Sequence, residues 1–598
     1  MIARRIVTAL TAVLFFLLLE LNQNRLLGWI LAACLLIAFI LLFESGLLRR
    51  HHRHRKSRRR TFFRVLAWVG LFALFAAIFF VTAPPVRRVP ALAVKDAPAT
   101  GVVSLRDGKV TGVVDEANGV EIYAGIPYAA PPVGELRWKE PQDPKPWKDV
   151  LKADTFAPMA MQPQNSTIYN SLAQIIGYHD YKWFDFSDNY RSAMSEDALY
   201  VNVWKPAGAV KDLPVLVYIH GGSLQTGRSW YADYSGTGLA KEGVIVVNMG
   251  YRLGVFGYLA LPELADESPN HTTGNYGLLD QIKALEWVRD NIAFFGGDPD
   301  NVTLAGESAG SASVSALCTS PLAEGLFRRV VMESSTVASK TPPHSYRSSE
   351  DAIASGQGIW SQSRAVTLSE LRALSAKSIV SCAATEHHIT VDGYALTEDP
   401  YVSYSKGNFN EEAAFHGFNS RESGPFILFS GASLKNYEAK IRGYFGKYAD
   451  EVLALYPAST NEEAAENWAE IYGAIFFDYP HYAYNRLAVE NGISVYEYYF
   501  SKQNGRLGSW HSGEEVYLYG NIPSDSKLYD ESDYELSKAF KSYFLNFIRT
   551  GDPNGEGLAR FEENLDSASY LEFGEDGVAP KKESARKLGL FSVLDRIQ

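Results

Sequence analysis

Hydrophobic positions are arranged in two ways along this chain. Over the first 83 residues they form nearly unbroken runs: IVTALTAVLFFLLL from Ile6, LLGWILAACLLIAFILLF from Leu26 and VLAWVGLFALFAAIFFV from Val65. Each approaches the roughly 17 to 25 apolar residues that cross a bilayer as a helix, the first marginally so. A cleaved leader does not account for the first run, because no small-residue cleavage site follows it and a second run does. Beyond residue 100 the apolar runs are short. VSLRDGKVTGVVDEANGVEIYAGIPYA alternates through Asp-Gly and Asn-Gly turns and predicts an antiparallel start. After it, the strand-like PVLVYIH, VIVVNM and NVTL are separated by the helix-prone GTGLAKEG and the amphipathic YGLLDQIKALEWVRDNIAFFGG. Strands alternating with helices predict an α/β fold with a largely parallel sheet covered on both faces, its site at the carboxyl edge of the strands. The stretch from about Thr341 to Tyr472 is more helical and polar, and is expected to form an insertion over that edge.

Three segments follow: three transmembrane helices over residues 1–83, an extended Pro- and Ala-rich linker over 84–100, and one globular domain over 101–598. Charge orients them. RRHHRHRKSRRR, residues 49–60, separates the second run from the third, and MIARR precedes the first. Basic short loops stay in the cytoplasm, so the chain after Val81 is expected outside, with the lipid bilayer as a partner of the helices. Through Pro90 there are 14 Lys+Arg against 2 Asp+Glu, which leaves a charge of -23 on the rest of a chain whose net charge is -11. An acidic body of that kind argues against nucleic acid as a partner. Cys34, Cys318 and Cys382 are too few and scattered for a disulfide framework, and there is no Cys or His spacing suited to zinc, so no metal or organic cofactor is expected.

Candidate chemistry lies in LAGESAG, residues 304–310. Gly306-x-Ser308-x-Gly310 follows the strand-like NVTL and opens the small-residue run SASVSALC, the strand, sharp turn, helix setting that presents a serine hydroxyl. A serine needs a base, a group to orient that base, and donors for the oxyanion. YIHGGSLQTG, from Tyr218, ends the strand PVLV with glycines that let successive N–H groups point into one space. The N–H groups of Gly222 and Ser223, joined by that of Ala309, are the expected oxyanion donors. From the residues alone, the acid and the histidine stay open.

Several further stretches, taken in order, resemble the type-B carboxylesterase/lipase family, which includes cholinesterases and bacterial para-nitrobenzyl esterases. They are IYAGIPYAAPPVGELRW at 122, SEDALYVNVWKP at 195, LPVLVYIHGGS at 213, YRLGVFGYL at 251, the long block ending in GESAG, VDGYAL at 391 and FIRTGDPNG at 547. The resemblance implies an α/β-hydrolase fold with a helical insertion and a serine esterase acting on small-molecule esters. It supplies what spacing leaves open. HGFNSRESGPF resembles the family's acidic motif and puts the acid at Glu422, and WHSGEEVYLYG resembles its histidine motif and selects His511. Ser308, Glu422 and His511 then stand in the order nucleophile, acid, histidine. His220 is expected to shape the oxyanion loop, with Glu307 and Ser334 near the triad. Where the family has a disulfide near its amino terminus, this chain has Ala160 and Ala198, so the intervening 162–194 loop is expected to be freer. Leu224, Ser423 and Gly250 also depart from the family pattern and bear on substrate preference. Non-catalytic adhesion modules share the family's fold, but they typically lack a triad residue, and this chain has all three.

Overall fold

The computed structural model describes residues 2–44, 58–92, 96–177, 181–187, 189–339, 346–382, 388–503 and 508–597. Most of the basic connector, residues 49–57, lies outside them. The described residues form two units, residues 88–163 with 194–598 and residues 1–87 with 164–193.

In the larger unit the short apolar runs pair into an eleven-stranded sheet. Seven neighbouring strands are parallel, in the order Ile245–Met249, Leu213–Ile219, Gly297–Glu307, Arg329–Glu333, Ala413–Asn419, Ser494–Phe500 and Ser569–Gly574. The antiparallel start forms one margin, where Val113–Asp115, Val120–Pro127 and Tyr200–Pro206 lead to Ile245–Met249. Gly577–Lys582 closes the other margin, also antiparallel.

Alternation along a strand explains the two layers. Val215, Val217 and Ile219 belong to one apolar cluster with the helices Tyr276–Asn291 and Ala309–Cys318. Leu216 and Tyr218 point the other way, into a cluster with Leu536, Phe540, Phe544 and Phe547 of the amphipathic helix Glu531–Thr550. Both faces are therefore dry, as a parallel sheet requires.

One expectation is corrected. The region from Thr341 to Tyr472 is not a single helical insertion, because AAFHGFN at Ala413–Asn419 is a fully buried strand in the parallel part of the sheet. The run is seven residues long and carries His416 and Asn419, so it does not stand out from its helical surroundings. Helices fall on either side of it in sequence, among them Ser349–Ser363 before and Asn461–Gly473 after.

Among the described residues, the expected linker is fastened down at several points. Phe156 N–H donates to Val89 O at 2.7 Å, Ala91 N–H to Asp154 O at 3.0 Å and Val114 N–H to Pro98 O at 2.8 Å.

The smaller unit contains helices Ile2–Leu21, Leu26–Phe39 and Arg58–Val81. Phe15, Leu19, Ala32, Leu36, Phe39, Leu71 and Phe75 form a small shared core. Among the described residues one helix, Phe62–Val81, is long and apolar enough to cross a membrane by length and composition, and Leu26–Leu42 is a shorter apolar helix. The expectation of three such helices is met in part. The first carries Glu20 near its end, and the second is α-helical for 14 residues before a π turn at Ile40–Glu44. The 162–194 loop, expected to be freer, is largely built into this unit, with a helix at Thr167–Ile176.

Candidate active site

The two glycine-rich turns meet because their strands are neighbours. Leu213–Ile219 runs parallel to Gly297–Glu307 with Ile219 opposite Gly306, so HGGS and GESAG leave the sheet side by side. Their approach needs glycine, since a Cβ on Gly310 would run into the Ile219 carbonyl. A Cβ on Gly221 would come within 3.0 Å of Ser308 Cβ.

Ser308 sits between strand and helix at φ 54° and ψ -124°, a conformation that costs a non-glycine residue about 1–3 kcal/mol. Its N–H donates to Glu333 O at 2.8 Å, anchoring the turn to the next strand. Ser223, Leu224, Ser334 and Ser512 around it also have positive φ. Strain concentrated in this way marks functional sites more often than structural ones. The N–H groups of Gly222, Ser223 and Ala309 donate to no protein acceptor among the described residues. Gly222 has φ +107°, which carries the chain through this turn.

Glu422 and His511 come together from different loops. Glu422 follows the buried Ala413–Asn419 strand, and its Oε1 accepts from Asn419 N–H at 2.7 Å and Ser334 Oγ–H at 2.6 Å. Its Oε2 lies 2.6 Å from His511 Nδ1. The other imidazole nitrogen, Nε2, faces Glu307 Oε1 at 3.2 Å and makes no hydrogen bond to Ser308 Oγ among the described residues. Acid and histidine are therefore joined, while the third predicted link is open. Such contacts commonly tighten only when substrate is bound. The rings of Phe426 and Phe477 lie 5.1 and 4.8 Å from the imidazole and shield it. His220 is buried against Tyr251, with Nδ1 2.9 Å from Gly221 O, and desolvation lowers its pKa to about 4. It lies in the wall of the HGGS turn as a neutral ring.

Sequence reasoning missed Glu514 and Phe477. Glu514 lies inside the quoted WHSGEE motif, so the signal was present, but only the fold turns it back to meet Asn419 and Ser334. Phe477 rides on a π turn at Ala474–Asp478, a local irregularity that apolar periodicity does not reveal.

Buried carboxylates dominate the electrostatics. Burial pushes Glu422 up to about 8, against the hydrogen bonds from Ser334 and Asn419. Burial raises Glu307 to about 7, opposed by His511 and helped by Glu514, and raises Glu514 to about 7 with help from Glu422. Their folded-state pKa values exceed the ordinary 4.5, so the folded form binds these protons more tightly than the unfolded chain. Their stabilising contribution is complete below about pH 4.5 and is lost as pH rises through about 7 to 8. The thermal midpoint should therefore fall between pH 5.5 and 8.5, corresponding to a loss of a few kcal/mol. In Glu514→Gln the fall should be smaller; an identical slope in that variant would remove Glu514 from the account.

A family model described as the carboxylesterase family matches residues 99–589. Para-nitrobenzyl esterase of Bacillus subtilis is 33% identical over 487 residues, covering 76% of this chain and 91% of its own length. Carboxylesterase 1C of Rattus norvegicus is 30% identical over 528 residues, covering 82% and 93%. Among solved structures, a carboxylesterase from Geobacillus stearothermophilus superposes with a TM-score of 0.70 at 29% identity, over 82% of this chain and 99% of that one.

Proposed function

We propose, from the premise that this chain belongs to the carboxylesterase family, that it cleaves carboxylic esters at Ser308 through an acyl-enzyme, with His511 as base and Glu422 as its orienting acid. The protein is a serine carboxylic ester hydrolase. The observation that carries the residue roles is the 2.6 Å contact of Glu422 with His511 Nδ1 beside a serine held at positive φ.

In this reading His511 keeps Nδ1–H on Glu422, and its Nε2 exchanges Glu307 for the hydroxyl of Ser308. Ser308 Oγ attacks the ester carbonyl carbon as Nε2 takes the proton. The tetrahedral oxygen accepts from the N–H groups of Gly222, Ser223 and Ala309, unspent donors fixed before charge develops. Collapse breaks the bond to the alcohol oxygen, to which His511 returns the proton. Water then repeats the sequence and frees the acid. None of these steps calls on a metal or organic cofactor.

The same reading makes the amino-terminal helices a three-span anchor, with residues 84–100 as the connection and 101–598 as the hydrolase. What supports it is their outer surface: Leu10, Val13, Ile30, Ile37, Val69 and Leu74 are each at least half exposed although the bundle has its own core. So large an exposed apolar girdle suits lipid rather than water.

A fluorophosphonate probe tests the catalytic assignment. It should label the wild-type protein once, at Ser308, and should leave Ser308→Ala unlabelled. Labelling of another serine would overturn the nucleophile.

A further inference from the structure

The described residues of the Gln164–Ala193 segment are fastened to the amino-terminal helices and carry several large apolar side chains that are exposed. Glu20 Oε1 accepts from Phe184 N–H at 2.8 Å and from Tyr181 Oη–H at 3.4 Å. Val86–Arg87 pairs in parallel with Arg191–Ser192. The rings of Phe184 and Phe186 stand edge-on to Trp29 at 5.6 and 5.5 Å, and Trp29 stacks on Phe16 at 5.3 Å. Tyr169 is 58% exposed, Leu172 43%, Trp183 51% and Phe184 61%, interspersed with the exposed polar residues Asn165, Asn170, Lys182 and Asp185. The helix Thr167–Ile176 that carries the first two is capped by Ser166, whose Oγ accepts from Tyr169 N–H at 3.2 Å.

Hydrogen bonds at the helix ends set the level of this segment. Arg25 N–H donates to Thr82 O at 3.1 Å, and Asn24 Nδ2–H to Thr82 Oγ1 at 2.8 Å and to Phe79 O at 2.7 Å. The turn after the first helix and the end of the third are thus at one end of the bundle. Trp29 is three residues into the helix Leu26–Phe39, about 5 Å below that end at 1.5 Å per residue. Aromatic residues at this depth sit where headgroups meet acyl chains.

We propose that this segment is a second membrane-contact surface, seating Tyr169, Leu172, Trp183 and Phe184 in the interfacial zone of the leaflet on the hydrolase side. The inference rests on the three-span anchor, and lipid is the partner because the patch continues the apolar girdle of helices that the bilayer would surround.

The test places nitroxides on the full chain in phosphatidylethanolamine/phosphatidylglycerol vesicles, in a Cys34→Ser, Cys382→Ser background that retains buried Cys318. Trp183→Cys and Tyr169→Cys are the probes, Leu74→Cys reports the third helix, and Glu556→Cys reports an exposed loop of the hydrolase. Aryl-ester turnover equal to the background establishes that each variant is folded. Power-saturation accessibility to oxygen over a nickel chelate should be raised at 183 and 169, as at 74, and low at 556. Lipid-like values at 74 with water-like values at both 183 and 169 would overturn this inference and leave the anchor standing. Water-like values at all four sites would remove the anchor, and the inference with it.

Discussion

Ser308→Ala should lower turnover of a simple aryl ester by about 10⁴-fold or more while the protein stays folded. The fold should survive because Ser308 Oγ makes no hydrogen bond among the described residues, and its turn is held by its own N–H on Glu333 and by the close glycine contacts. The rate should fall because nothing else in the turn replaces the nucleophile. His511→Ala should lose a similar factor but be a less clean variant. It strips the donor from Glu422 Oε2, and an unsatisfied buried acceptor costs about 1–3 kcal/mol. The double variant should lose little beyond either single one, since serine and histidine act as a unit. Steady-state kinetics with circular dichroism on the three variants make the check. Near-normal turnover in Ser308→Ala would end the assignment, and multiplied losses would mean that the two residues do not share one step.

Residues whose roles are local were legible in the sequence. Gly306, Ser308 and Gly310 announce a tight strand-to-helix turn, and HGGS at a strand end announces a second, because glycine at such spacing has few other uses. Glu422 and His511 could not be chosen that way. They lie 114 and 203 residues after Ser308, and only their resemblance to family motifs singled them out. The chain returns to the sheet edge many times, and no local property of a glutamate says which return brings it beside the histidine. The parallel sheet was legible where its strands are apolar, as at Leu213–Ile219, and hidden at Ala413–Asn419, where histidine and asparagine interrupt the run. Absence of both family cysteines predicts freedom for the loop between Ala160 and Ala198. The opposite holds for much of it, since its partners are helices more than a hundred residues earlier, and pairing at that separation leaves no periodic signal in either segment.

The hydrolase should be degraded by protease added to the outer face of the cytoplasmic membrane, while a tag at Met1 stays protected. The charge argument places residues 49–60 inside, and a cationic connector of that size is not readily translocated. The fold adds an independent constraint. Hydrogen bonds from Asn24 and Arg25 to Thr82 hold the end of the first helix and the end of the third at the same end of the bundle. If one helix crosses, the other ends on the same side, and the hydrolase follows the third helix there. Glu20 fits the same arrangement, because its carboxylate accepts the Phe184 N–H within this unit and so is not left without a partner among apolar helices. Replacing the connector's eight Arg and Lys residues between 49 and 60 by Ser and Gln should weaken this orientation, producing a mixed population in which part of the hydrolase becomes protease-resistant. Sealed spheroplasts with a cytosolic marker as control give the readout. A wild-type hydrolase protected as fully as that marker would overturn the topology and place ester hydrolysis on the cytoplasmic side.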